Sequence, residues 1–207
     1  MSIANAYDSW AEQYDTNENK TRDLDRKATI ETLTKYDFDN VLELGCGTGK
    51  NSEWLITKAK FVIGLDFSEE MLNKAKSKIN SDKIRFQRAD LTKKWEIENN
   101  FADLITCSLT LEHIEDIGFI FNQAHQKLKA GGKFFISELH PARQYLGSKA
   151  KYETETGIEE LEVYVHHLSD YLKAAERNYF KPIEINEWFD NQPENEVPRL
   201  ISFVFSK

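Results

Sequence analysis

Short apolar runs alternate with helical patterns along most of this chain. Val41–Leu44, Phe61–Asp66, Ile84–Gln87, Asp103–Cys107 and Lys133–Ser137 each read as a brief strand in a sheet covered on both faces. Between them lie stretches of helical spacing. Ser68 is a good N-cap, and Glu69 and Glu70 follow in the first turn, where the helix dipole favours acid. Ile117, Phe121, Ala124 and Leu128 form one stripe that is expected to stop before Gly131-Gly132. Strands alternating with helices predict an α/β fold with a parallel sheet.

The alternation breaks after the fifth strand. Lys151–Thr154 and Leu161–Val165, with Gly157 between, are expected to pair as an inserted hairpin. A helix from Ser169 and two strands, near Ile183–Trp188 and Leu200–Phe205, follow. Before the first strand, one helix is expected over roughly Asp23–Lys35, preceded by an irregular stretch rich in Tyr and Trp. With 207 residues and no Pro/Gly/Ser linker, the chain reads as a single domain over 1–207.

Charge and cysteine usage narrow the function classes. The formal net charge of −8 argues against a nucleic acid or an anionic membrane surface as partner. No apolar run approaches a membrane span. The first residues, Met1–Asn5, show no basic flank or apolar segment, so no signal peptide is expected. Cys46 and Cys107 alone make neither a disulfide framework nor a zinc spacing. The expectation is a reduced, cytoplasmic protein, a monomer or homodimer, holding no metal.

Three features at consecutive strand ends carry the chemistry. Gly45-Cys46-Gly47-Thr48-Gly49 follows the first strand and lets backbone approach a ligand closely. Nicotinamide-binding folds place a glycine loop here too, but this spacing is GxGxG rather than GxGxxG. A loop without the pyrophosphate seat suits an amino acid or nucleoside. Asp66 ends the second strand, where an acid can accept both ribose hydroxyls, and Asp90 follows the third, where a carboxylate can accept from an adenine amino group. All three lie on the carboxyl edge of the sheet, where open α/β folds bind ligands.

As a set these stretches resemble the class I S-adenosylmethionine (SAM)-dependent methyltransferases, in particular the type 11 small-molecule branch. The matching segments are Tyr7–Asp15, Val41–Gly49, Gly64–Leu72, Ala89–Leu91, Leu109–Ile114 and Leu128–Gly132. The resemblance implies a Rossmann-like three-layer sandwich with a seven-stranded, mostly parallel sheet whose last strand is antiparallel. It covers roughly residues 5 to 138 and implies an N-terminal helical lid over 1–38; the inserted hairpin, within 139–168, is read from its own residues as lying over the acceptor site. The resemblance also implies that Gly45 and Gly47 line the methionine part of SAM; Cys46, by its position between them, is expected near the cofactor. Asp66 would hold the ribose, Phe67 and Met71 would flank the adenine, and Asp90 would bond its amino group. Leu91 and Ser108 would lie beside the cofactor, with Tyr14 covering its methionine end. The implied product is S-adenosylhomocysteine (SAH).

Methyl transfer from a sulfonium mainly needs positioning and exclusion of water. A general base matters only if the acceptor must lose a proton. The candidate pair is Glu112-His113, just past the fourth strand; a cap or packing role for His113 competes with this. His140, Arg143, Tyr145 and His166 are candidates to line the acceptor pocket, against turn or solvated roles. No Asn/Asp-Pro-Pro-aromatic loop follows the fourth strand, and no Pro-Cys dipeptide suggests attack on cytosine carbon. The reading is a metal-independent methyltransferase acting on a small-molecule or carrier-bound acceptor. A SAM-binding protein without turnover and a nicotinamide-dependent oxidoreductase stand as alternatives.

Overall fold

A computed structural model describes residues 19–147, 151–154, 157–160, 163–190 and 197–207. The elements run α1 (Lys20–Leu33), β1 (Asn40–Leu44), α2 (Ser52–Lys58), β2 (Phe61–Asp66), α3 (Glu69–Lys78), β3 (Ile84–Arg88) and β4 (Ala102–Ser108). A 3₁₀ turn (Leu111–His113), α4 (Ile117–Lys127), β5 (Leu128–Leu139) and α5 (Pro141–Tyr145) follow. The chain continues through β6 (Lys151–Thr154), β7 (Gly157–Glu160), α6 (Leu168–Arg177), β8 (Lys181–Trp188) and β9 (Leu200–Ser206).

Seven strands form one sheet in the order β3-β2-β1-β4-β5-β9-β8. The pairings from β3 through β5 are parallel. β9 is inserted between β5 and β8 and runs antiparallel to both. The fold is therefore the Rossmann-like α/β sandwich with an antiparallel last strand that the sequence predicts. Because successive side chains point to opposite faces, each central strand feeds two cores. Phe134 and Ile136 of β5, with Phe203 and Phe205 of β9, pack on the face covered by α4 and α6. Phe135 and Val204, between them, pack on the other face with Leu33, Phe38 and Leu55.

Strand order reverses between β1 and β4, since β1 leads outward to β2 and β3 while β4 leads to β5. At such a switch point the loops leaving neighbouring strands diverge and open a crevice.

Several boundaries differ from expectation. α1 begins at Lys20 rather than Asp23, because the Asn19 side chain accepts the Arg22 N–H at 3.0 Å and caps an earlier turn. α4 ends at Lys127, and the stripe residue Leu128 is instead the first residue of β5, with ψ at 142°. β5 is thereby longer than predicted. Ala102 pairs with Leu128 and Leu104 with Lys133, so Lys129–Gly132 bulge out of the ladder. Gly131, at φ +77°, supplies the left-handed residue such a bulge needs. The hairpin forms, but Lys151–Thr154 pairs with Gly157–Glu160, not with Leu161–Val165. Gly157, expected between the strands, sits opposite Thr154; residues 161–162 lie outside the described set and 163–165 are not strand.

Candidate active site

The site grows from the carboxyl ends of β1, β2, β3 and β4. After β1 the chain turns at once: the Cys46 N–H donates to Leu65 O at 3.0 Å, and the Gly49 N–H donates to Cys46 O at 2.9 Å. Gly45 has φ +67°, and a Cβ there would stand 2.1 Å from Thr110 Oγ1 of the segment after β4. Only glycine lets those two segments close on each other. The Gly47 N–H donates to Asp66 Oδ2 at 2.8 Å, while the Ser68 N–H donates to Asp66 Oδ1 at 2.9 Å. The carboxylate ending β2 is thus fixed between the glycine loop and the start of α3.

These residues border a cavity of about 470 Å³, within the size range of small-molecule and cofactor sites. Gly45, Gly47 and Asp66 line one part of its wall; Phe67, Met71, Asp90 and Leu91 line another. Ser108, Thr110 and His113 close it from the β4 side. Asp90 is oriented by Thr92, whose N–H and hydroxyl donate to Asp90 Oδ1 at 2.9 and 2.6 Å. The donor and acceptor set fits an adenosyl amino acid. The lining combines a buried carboxylate, Asp66, an exposed one, Asp90, and the apolar side chains of Phe67, Met71 and Leu91. No cluster of three His, Cys, Asp or Glu side chains with metal-ligand proximity occurs among the described residues.

Of the residues expected at the cofactor, Cys46 is placed differently from the rest. It is buried, and its Sγ lies 3.0 Å from the Cβ that a side chain at Gly64 would have, so it packs against β2. It borders a small adjoining recess rather than the main cavity. Tyr14 lies outside the described residues.

The acid–imidazole pair divides. His113 lines the cavity with its side chain only 8% exposed. Glu112 does not border it; its Oε1 stands 3.9 Å from His113 Nε2, and burial pushes its carboxyl up to about 7. Glu112 Oε2 has no hydrogen-bond partner among the described residues.

The four expected acceptor residues lie away from the cavity lining. His140 caps α5: its Nδ1 accepts from the Ala142 N–H at 3.1 Å, leaving Nε2 to face Glu187 Oε1 at 3.2 Å. Arg143 is spent on Val197 O at 3.0 Å and Asp190 at 3.4 Å. Tyr145 is 59% exposed, with its hydroxyl 2.6 Å from His167 Nδ1. His166 is buried, and its Nε2 bridges Leu111 O at 3.1 Å and Ile114 O at 2.8 Å. Together with the Tyr164 N–H on Glu112 O at 2.7 Å, it pins the turn that carries His113.

Two buried acids at the site escaped the sequence reading. Glu138 Oε1 accepts from the Thr110 and Leu111 N–H groups, both at 2.9 Å, and so folds the turn after β4. Burial holds its carboxyl well above the usual range. An acid closing an otherwise apolar strand was the available signal. Asp25 of α1 is the other. Glu43, two residues before Gly45 on β1, receives the Ser52 hydroxyl. Burial, reinforced by Asp25 and Asp66, pushes its carboxyl up to about 8.

Residues 42–136 match the family described as a methyltransferase domain. The chain is 30% identical over 154 residues to a ubiquinone biosynthesis O-methyltransferase of Coxiella burnetii, covering 73% of this chain and 62% of that protein. It thus spans less than two thirds of that relative's length. An S-adenosylmethionine-dependent methyltransferase from Mesorhizobium loti superposes with a TM-score of 0.74 at 24% identity, over 89% of this chain and 98% of that one. Phosphoethanolamine N-methyltransferase 2 of Haemonchus contortus, in complex with S-adenosyl-L-methionine, superposes with a TM-score of 0.63 at 19% identity, over 78% of this chain and 38% of that one. Residues 42–136 thus match a methyltransferase domain, and the chain has the fold of the SAM-dependent methyltransferases.

Proposed function

We propose that this protein transfers the methyl group of SAM to a small-molecule or carrier-bound acceptor by in-line displacement, without a metal. The observation that carries the reading is the Gly47–Asp66 hydrogen bond at the wall of a cavity also lined by Phe67, Met71 and Asp90. Bound SAM supplies an electrophilic methyl on a sulfonium, a leaving group needing no acid assistance. What remains for the chain is to hold the two reactants and keep water out.

Asp66 accepts the ribose hydroxyls, Asp90 the adenine amino group, and Phe67, Met71 and Leu91 cover the base. Gly45 and Gly47 let the amino-acid end pass close to backbone, with Ser108 beside it. His113 is placed at the cavity to take a proton from an acceptor that must lose one. Glu112 stands behind the imidazole and steadies the positive charge that then develops. The expected acceptor residues His140, Arg143 and His166 act in this reading as supports of the site's outer wall.

Incubation with labelled SAM and a panel of phenols, amines and carrier-bound acids tests the proposal. Acceptor-dependent formation of SAH is expected. It should be abolished in Asp66→Ala and reduced about 10²–10⁴-fold in His113→Ala. SAM binding with no SAH formed for any acceptor would leave a binding protein instead.

A further inference from the structure

Leu109 directly follows β4 and has φ +50°, in the left-handed region where an L side chain crowds its own carbonyl. Glycine would take that backbone without strain. The conformation is imposed from β5. The Leu109 N–H donates to Ser137 O at 2.8 Å. The next two N–H groups, of Thr110 and Leu111, both donate to Glu138 Oε1 at 2.9 Å. The Thr110 hydroxyl turns back on Ser108 O at 2.9 Å. Successive backbone donors are thus fixed by two adjacent residues of one strand, and the turn is held in a single shape.

The side chain held this way does not serve the core. In the same turn Leu111 and Ile114 are buried in the core under α4 and α6. Leu109 is only partly buried and belongs to neither hydrophobic core. It borders the main cavity instead, and also the small recess of about 50 Å³ that adjoins it past the glycine loop. Gly45, Gly47, Ser108 and Leu109 are common to both spaces, and Leu109 alone among them carries an apolar side chain larger than a hydrogen atom. In the cofactor reading the nucleoside occupies the cavity and the amino-acid end passes Gly45 and Gly47. The sulfur joining the two parts then lies at this junction, beside Leu109. Backbone strain at a ligand site persists where the surroundings over-determine it and the aim of a side chain matters.

We infer that Leu109 is a specificity-determining residue whose side chain bounds the seat of the transferred group at the sulfur, admitting a methyl and crowding a longer alkyl. The inference rests on the cofactor reading above. An apolar wall at this point also keeps water from the electrophilic carbon, which a polar side chain would not do.

S-Adenosylethionine, which carries one more methylene on its sulfur than SAM, is the probe. Its affinity is compared with those of SAM and SAH by calorimetry on wild type, Leu109→Ala and Leu109→Gly. Wild type is expected to bind it at least about 10-fold more weakly than SAM, as for one methylene too many in a filled apolar pocket. Both variants should bring the two affinities together. SAH, with no alkyl group to meet Leu109, should bind all three proteins alike. Leu109→Gly suits the left-handed backbone and should melt no lower than Leu109→Ala, so the comparison does not depend on a damaged fold. A ratio of S-adenosylethionine to SAM affinity that is unaltered in both variants overturns the inference. So does wild type that binds S-adenosylethionine as tightly as SAM, and either result leaves the cofactor reading standing. Wild-type protein that binds none of the three ligands overturns the cofactor reading itself.

Discussion

The Gly47 N–H donates to Asp66 Oδ2 at 2.8 Å, joining the loop after β1 to the carboxylate that ends β2. Two segments 19 residues apart in sequence thus form one rigid wall, with Ser68 holding the second carboxylate oxygen from the start of α3. Preorganisation of this kind lets a ligand gain contacts without first ordering the loop.

That wall has no room for a side chain at Gly45. Gly45→Ala combines a left-handed backbone with a Cβ 2.1 Å from Thr110 Oγ1. The expected cost is about 2–4 kcal/mol from backbone strain and overpacking. In a domain of this size that lowers Tm by roughly 5–15 °C. SAH affinity should fall with it, because the Thr110 segment must retreat into the cavity wall. Thermal melts with and without SAH check both effects.

Glu43 makes stability depend on pH. Its folded carboxyl titrates at about 8, while its ordinary value is 4.5. The folded state therefore holds a proton that the unfolded state has lost across that interval. Stability from this group is full below about 4.5 and declines as pH rises toward 8. Glu112, raised to about 7 by burial, acts in the same direction. Glu43→Gln keeps an acceptor for the Ser52 hydroxyl but removes the titration. Its Tm relative to wild type should rise between pH 5 and pH 8 in ligand-free protein. A difference that stays flat or falls over that range would contradict the assignment.

His140 and His166 separate structural from substrate roles. His140→Ala removes a helix cap worth about 1 kcal/mol and should lower Tm by about 2–4 °C, with SAH affinity and acceptor KM unchanged. His166→Ala leaves the Leu111 and Ile114 carbonyls without their imidazole donor, at about 1–3 kcal/mol. It should lower kcat through the His113 turn while SAH affinity holds. An acceptor KM that rises in His140→Ala with Tm unaltered would return that residue to the acceptor pocket.

The fold and the gathering of Gly45, Gly47, Asp66 and Asp90 at one cavity were legible because each rests on local signals. Buried strands ending in Gly45–Gly49, Asp66 and Asp90 declare themselves by periodicity and position. The rest depended on contacts between distant segments. Asp25 meets Asn51 across 26 residues, and Glu138 meets Thr110 across 28. In a sequence, each of these acids resembles a solvated one. His140 and Arg143 follow a strand on the correct sheet edge, yet β9 returns beside β5, and its neighbours Glu187, Asp190 and Val197 absorb them. The hairpin partner of Lys151–Thr154 was misjudged because Leu161–Val165 carries the stronger strand pattern, whereas the observed pairing uses the nearer Gly157–Glu160.

The central claim is that this cavity holds an adenosyl amino acid. A thermal shift with SAH beside NADH, at matched concentrations, tests it most directly. A ligand at a hundred times its dissociation constant stabilises by about 2.7 kcal/mol. The account predicts a rise in Tm with SAH, none with NADH, and loss of the SAH response in Asp66→Ala. A rise with NADH and none with SAH would contradict it.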